Sequence, residues 1–197
     1  MKIFTYEEPF PHIRIENSFE PEEYKAVWNE LIFLVPKMKL PTETNAATKE
    51  RGLPKKRGYG IMIDSMFTDQ ENSDILLYAK KTVCEEVRNA SGRMSLYFRL
   101  FKHVSHGSTL VQIYRNGDYY ESHEDSSVFT AVTLIHKTPK KYDGGDLWFP
   151  EYKFIPKLEN NCTVIFPSVI IHEVTELKNK SSKIEDARYT ISQLLSV

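Results

Sequence analysis

Gln112 to Asp125 reads Q-I-Y-R-N-G-D-Y-Y-E-S-H-E-D, and its last three residues are His123, Glu124 and Asp125. In extended backbone, side chains alternate between faces, so residues two apart share one face. His123 and Asp125 therefore point the same way if this run is a strand. The run before them is β-type, and Gly117-Asp118 marks a turn between two such runs. A neutral imidazole beside a carboxylate is a donor pair that divalent transition metals accept. Such a pair asks for one more ligand. His172 offers it, in the short β-type run V-I-I-H-E-V.

Outward from this stretch, the chain is β-textured from Ser95 to its end. The runs are S-L-Y-F-R-L-F-K, T-L-V-Q-I-Y-R, V-F-T-A-V-T-L-I-H, D-L-W-F, C-T-V-I-F, V-I-I-H-E-V and R-Y-T-I-S-Q-L-L, separated by polar or Gly/Pro turns. Short strands in this density point to a closed double-sheet fold, a double-stranded β-helix (jelly roll, cupin-like). The fold class read here is α+β, mostly β, with N-terminal helices packed on one sheet.

Those helices are legible upstream. Glu20-Pro21-Glu22-Glu23 opens one with proline early and acids in its first turn. Tyr24, Val27, Trp28, Leu31 and Val35 recur at helical spacing, and Pro36 stops the run. A second helix is expected from about Ser73 to Ala90, capped by Asn72 or Ser73 and ended by Gly92. Residues 8–17 read as an entry strand, and Tyr59 to Phe67 as a further one. Residues 37–58 are polar, with five cations between Lys49 and Arg57. That segment reads either as a solvated loop or as a lid over a pocket.

The 197 residues suit one domain, with helical support over about 1–92 and a jelly-roll core over about 93–197. A formal net charge of -1 carries no basic field that would favour nucleic acid. No apolar run approaches a membrane span, and the N-terminus lacks the apolar core of a signal peptide. Cys84 and Cys162 are far apart and outside any CxxC, so they read as free thiols, and a cytoplasmic location is expected. His103 and His106 lack a third ligand nearby and read as surface residues; His12 and His136 read as structural.

Two histidines and one carboxylate on one face of a metal leave about three of six positions open, which is the ligand set of non-haem Fe(II) oxygenases. A dicarboxylate bound there would need a fixed cation at its far end. Arg meets a carboxylate bidentately and suits that better than Lys. Arg188 opens the last strand, with Thr190 and Ser192 on its face, and Tyr114 lies just before the metal pair.

In order along the chain stand Tyr114-x-x-Gly117-x-x-Tyr120-x-x-His123-x-Asp125, Gly144-Gly145-Asp146-Leu147-Trp148-Phe149-Pro150, Ile165-Phe166-Pro167-Ser168, His172-Glu173-Val174 and Arg188-Tyr189-Thr190-Ile191-Ser192. This set resembles the prolyl 4-hydroxylase type of the 2-oxoglutarate- and Fe(II)-dependent dioxygenases. The resemblance covers about residues 95–197, and P-F-P-H-I-R-I-E-N-S-F-E-P-E-E-Y is similar to the entry of that family. It implies Fe(II) on His123, Asp125 and His172, which are then the catalytic set. It implies 2-oxoglutarate held by Arg188, Tyr114 and Ser192. Gly144-Gly145 would turn tightly into the next strand, and Phe166-Pro167 would turn before the distal histidine.

The implied reaction consumes O2 and 2-oxoglutarate, releases succinate and CO2, and hydroxylates an unactivated C–H bond. Ascorbate would be stimulatory. Asp125 itself favours hydroxylation, since related halogenases lack the carboxylate. The implied partner is a peptide or protein that contains proline, with neither nucleic acid nor membrane expected. Some features depart from the pattern. Collagen-type members often carry Lys where Arg188 stands. Arg188 lies 16 residues after His172, a longer gap than usual. Leu134 stands where some relatives have a co-substrate-binding Tyr. Two other readings stay open: the same chemistry on a free amino acid, a small metabolite or an alkylated base, or a cupin-like binding module without catalysis.

Overall fold

The computed structural model describes residues 1–44 and 54–197, so the segment 45–53, the middle of the expected loop or lid at 37–58, lies outside the described residues. Four α-helices are described: α1 (Pro21–Leu34), α2 (Pro41–Thr44), α3 (Asp74–Ala79) and α4 (Glu85–Ser91). Strands β1 (Lys2–Tyr6), β2 (His12–Glu16), β3 (Lys56–Arg57) and β4 (Tyr59–Met62) come from the first part of the chain. The later strands are β5 (Ser105–Tyr114), β6 (Tyr119–His123), β7 (Phe129–Ile135), β8 (Tyr142–Gly144) and β9 (Leu147–Trp148). They are followed by β10 (Cys162–Pro167), β11 (His172–Val174), β12 (Leu177–Asn179) and β13 (Arg188–Ser196).

The strands form a seven-stranded sheet in the order β1-β2-β10-β7-β13-β5-β4 and a four-stranded sheet in the order β3-β6-β11-β9. Pairing is antiparallel throughout both. A ribbon of β8 and β12 lies beside them. This is the mostly-β, double-sheet fold read from the sequence. Closing two sheets on each other limits the exposed edges that a long open sheet would present.

Period-two alternation decides what each face of the large sheet meets. On β13, Tyr189, Ile191 and Leu195 point to the helices, while Arg188, Thr190, Ser192 and Leu194 point between the sheets. Val27, Leu31 and Leu34 of α1 and Ile75 and Leu76 of α3 pack on Val111, Ile113, Ile135, Tyr189 and Ile191. Burying each such side chain contributes on the order of 1.5–3 kcal/mol. Between the sheets, Val132, Val164 and Phe166 meet Leu147, Phe149 and Ile170.

Helix α1 begins where the sequence indicates, with a capping box between Glu20 and Glu23. The second expected helix is broken in two. Ser73 caps α3 by accepting from the Leu76 N–H, and a 3-10 turn at Lys80–Val83 precedes α4. Gly92 follows α4 in ordinary right-handed geometry, so its freedom is not used there.

The run S-L-Y-F-R-L-F-K is not a strand. Tyr97–His103 forms a 3-10 helix instead. Phe98 and Phe101 stand three apart, which is the repeat of that helix, and both reach Phe129. The Arg88 guanidinium ties the turn down by donating to the carbonyls of Phe101, Lys102 and Val104. Strand β1 is absent from the sequence reading, and V-I-I-H-E-V shortens to β11. Cys84 and Cys162 are free thiols, as read. Among the described residues, no helix is long and apolar enough to cross a membrane.

Candidate metal centre

The turn at Asn116–Gly117 reverses the chain from β5 into β6. Gly117 adopts φ +79°, a region in which a side chain is strained, and its N–H donates to the Leu177 carbonyl at 2.8 Å. Strand β6 then runs to His123. Just beyond it, the Asp125 N–H donates to the Ser168 carbonyl at 3.0 Å, which fixes the carboxylate beside the loop that leads into β11. His172 opens β11 and pairs in register with His123.

The three side chains meet. The Asp125 carboxylate lies 3.8 Å from His123 Nε2 and 3.4 Å from His172 Nε2. One ligand atom from each lies within 4.8 Å of the others, so a single ion could be held by all three. The tautomers are set locally. His123 Nδ1 lies 2.8 Å from the Glu121 carbonyl and His172 Nδ1 lies 2.9 Å from the Ile170 carbonyl. A carbonyl only accepts, so each Nδ1 carries the proton and donates it. Both Nε2 lone pairs are thereby turned toward Asp125. Such bonds to the second ring nitrogen orient metal-ligating histidines.

Burial and the nearby His172 push His123 down to about 4, so its imidazole is neutral at neutral pH. Burial pushes Asp125 upward, but its interaction with His172 and the hydrogen bond from Thr130 outweigh it, and the carboxylate is held below its ordinary range. Thr130 Oγ donates to Asp125 Oδ2 at 2.6 Å. Ser168 Oγ sits 2.9 Å from Thr130 Oγ and 2.8 Å from Ser127 Oγ, which extends the network. The Tyr120 ring stacks on His123 at 3.6 Å between centroids and 13° between planes.

The three residues lie in a cavity of about 220 Å³ between the sheets. Its walls include Leu110, Val132, Leu147, Val174 and Leu194, which keep it largely apolar. Tyr114, Arg188 and Ser192 line the same cavity. Arg188 and Tyr114 are cross-strand partners, and the guanidinium lies 5.0 Å from the centre of the Tyr114 ring. Arg188 is 1% exposed, and its Nε and Nη1 have no hydrogen-bond partner among the described residues. Burial lowers its pKa, the direction expected of a cation short of counter-charge. The Gly144-Gly145 turn has φ near +67° and +66°, and a Cβ on Gly145 would meet Arg188 Cδ at 2.8 Å. The glycine pair therefore makes the turn and also leaves the space that the arginine occupies.

All six residues singled out in the sequence thus gather around one cavity. Ser192 is already engaged, donating to Gln112 Oε1 at 3.4 Å, and Gln112 also accepts from Thr190 at 3.2 Å. Gln112 in turn donates to the Tyr114 hydroxyl at 3.2 Å, which leaves the Tyr114 proton free to donate elsewhere. Sequence reasoning assigned no part to Gln112, Thr130 or Ser168. Thr130 and Gln112 do fall on the inward face of their strands, which is the one signal that pointed to them.

No protein-family model matches the chain. No curated protein sequence matches it either. Solved structures do resemble it. A prolyl-4-hydroxylase from Pseudomonas putida superposes with a TM-score of 0.64 at 16% identity, covering 94% of this chain and 91% of that one. The viral collagen prolyl hydroxylase of Paramecium bursaria Chlorella virus-1, in its 2-oxoglutarate complex, gives 0.60 at 15% identity, covering 94% and 96%. A non-haem α-ketoglutarate-dependent epimerase from nogalamycin biosynthesis gives 0.57 at 10% identity, covering 93% and 76%. The chain shares the fold of these oxygenases over nearly its whole length.

Proposed function

We propose that the chain is a 2-oxoglutarate-dependent, non-haem Fe(II) dioxygenase that hydroxylates an unactivated C–H bond, with prolyl residues of a peptide or protein as the substrate. One observation carries this reading. A His-Asp-His set with both Nε2 lone pairs turned inward shares a cavity with a buried arginine whose Nε and Nη1 have no hydrogen-bond partner among the described residues. A cation lacking its acceptor is costly in an apolar site, so the arrangement fits a ligand that brings both a metal-binding end and an anionic end.

The residues fit the groups that the reading requires. His123, Asp125 and His172 would hold Fe(II), and their donor set suits that ion. The Arg188 fork and the Tyr114 hydroxyl would take the far carboxylate of 2-oxoglutarate. With O2, the bound metal and 2-oxoglutarate supply the oxidising chemistry: one oxygen atom enters the substrate, and the other leaves in succinate as CO2 is released. The chain's own part is positioning. Thr130 holds the Asp125 carboxylate in orientation, burial keeps His123 neutral, and the apolar walls exclude water.

A prolyl substrate is supported by the likeness to two prolyl hydroxylases. A cleft of about 540 Å³, lined in part by Pro54, Lys56, Arg57, Tyr59 and Tyr119, offers room for an extended chain beside β3 and β6. The epimerase neighbour favours a second reading, in which the same oxidising centre acts on a small metabolite. Succinate release under air with Fe(II), 2-oxoglutarate and ascorbate tests both, with and without a proline-rich peptide, for wild type and Asp125→Ala. Peptide-stimulated turnover lost in the variant is expected. Turnover that needs Asp125 but ignores the peptide moves the substrate to the second class. Absence of turnover together with absence of Fe(II) binding overturns the catalytic reading and leaves a binding module.

A further inference from the structure

Arg188 is not the only buried donor in this part of the fold without an acceptor among the described residues. The Tyr142 hydroxyl is buried, with the residue 5% exposed, and has no hydrogen-bond partner among the described residues. Tyr142 opens β8 and Arg188 opens β13, so a long stretch of chain separates them, yet the two side chains interact electrostatically. Tyr142 also packs in the small cluster that contains Tyr114 and Leu177. Tyr142 and Arg188 line a further cavity of about 530 Å³, which borders the metal-bearing cavity through Arg188 and Leu147.

The same wall also carries His136, Thr138, Glu159 and Asn160, yet among the described residues none of them hydrogen-bonds the Tyr142 hydroxyl or Arg188 Nε and Nη1. Leu134 has no polar atom. Asp146, the acidic residue that interacts with both, forms no ion pair with Arg188 among the described residues. Orphaned buried donors are rare in folded proteins and call for an acceptor. A carboxylate has about four lone-pair sites, enough for the guanidinium fork and two hydroxyls. Burial pushes Tyr142 up to about 12, so it keeps its proton and remains a donor.

We infer that Tyr142 is a second hydroxyl donor to the far carboxylate of the co-substrate, bound together with Arg188 and Tyr114. This rests on the reading of the site as a 2-oxoglutarate site. Tyr142 comes from the turn that Gly144 and Gly145 complete, so the element that makes room for Arg188 also delivers the hydroxyl.

Calorimetric titration of the oxygen-free, Mn(II)-loaded full chain tests it. Two ligands are compared: 2-oxoglutarate, and 2-oxopentanoate, which keeps the keto-acid end and has no far carboxylate. Wild type, Tyr142→Phe and Arg188→Met are each titrated. Tyr142→Phe is expected to weaken 2-oxoglutarate binding about ten- to a hundredfold, the usual worth of a hydrogen bond to a charged group. Its affinity for 2-oxopentanoate should match wild type, which also shows that the site has folded. If Tyr142→Phe binds 2-oxoglutarate as wild type does while Arg188→Met does not, the inference is overturned and the site reading stands. Equal weakening of both ligands in Tyr142→Phe overturns it as well. Arg188→Met with wild-type affinity, or a wild type that binds no 2-oxoglutarate, overturns the site reading and the inference with it.

Discussion

His123 and His172 face each other directly across the β6–β11 ladder, with ring centroids 4.3 Å apart. Each is held by the backbone just before it, through an Nδ1–H donated to the carbonyl two residues earlier. Neither ring needs to turn to accept a metal, and Asp125 completes the set from the following turn. The pair is therefore preorganised by backbone geometry rather than by the ion.

Metal should accordingly stabilise the native state. A ligand at a hundred times its dissociation constant adds about 2.7 kcal/mol, which for a chain of this size is roughly 5–10 °C in the unfolding midpoint. Chelator added to the Mn(II)-loaded protein should lower the midpoint by that amount in a thermal scan. Asp125→Ala should show no response. An equal response in the variant would remove Asp125 from the ligand set.

Thr130 aims the carboxylate without being one of the three metal-ligating side chains. Thr130→Val keeps the shape and removes the hydroxyl that donates to Asp125. Metal affinity, read by competition against a coloured chelator, should fall roughly 10- to 100-fold. Thr130→Ser should recover most of it. Three equal affinities would reduce Thr130 to a packing role.

Arg188 should cost the ligand-free protein stability. Its Nε and Nη1 are buried without hydrogen-bond partners among the described residues, and the Tyr114 face offsets only part of that. Arg188→Met is expected to raise the stability of the metal-free chain by about 1–3 kcal/mol in urea unfolding. The same variant should lose the stabilisation that 2-oxoglutarate gives to the metal-loaded wild type. A destabilised variant would show that the cation is satisfied in the free protein.

Lys56 provides a test in pH. It lies against the faces of Tyr114 and Tyr120, 5.8 and 5.6 Å from their centres, and burial lowers its pKa from 10.5 to about 8, with Asp118 opposing the shift. Between pH 8 and 10.5 the unfolded chain holds a proton that the folded chain has lost, so stability attributable to this group rises with pH across that window. At neutral pH the buried charge costs up to about 3 kcal/mol, from about 1.4 kcal/mol per unit. Lys56→Met should be more stable than wild type at pH 7, and the gap should close by pH 10.5. A gap that stays constant with pH would mean that Lys56 is charged and solvated in the fold.

Much of this protein is local, and local features are readable. The face of a strand residue follows from period two, so His123 and Asp125, or Arg188, Thr190 and Ser192, share a face whatever the strands pair with. The start of α1 follows from Glu20, Pro21 and Glu23, since a cap satisfies donors within one turn. The gathering of Tyr114, His123, Asp125, His172, Arg188 and Ser192 was legible because their motifs stand in a fixed order.

Other features depend on which distant segments meet. The run at 95–102 has the composition of a strand, yet Arg88 and Phe129 hold it as a 3-10 helix. Ser168, Thr190 and Ser192 reach Thr130 and Gln112 from other segments, so beyond the inward face of Thr130 and Gln112 nothing in their own sequence marks them. Tyr142 approaches Arg188 only because β8 and β12 pair beside the main sheets. The sequence by itself thus determined the chemistry of the chain and the direction each strand residue faces, because both follow from residue type and backbone period. Tertiary structure alone decided which donors are left without acceptors, because satisfaction of a buried polar group depends on every segment packed around it.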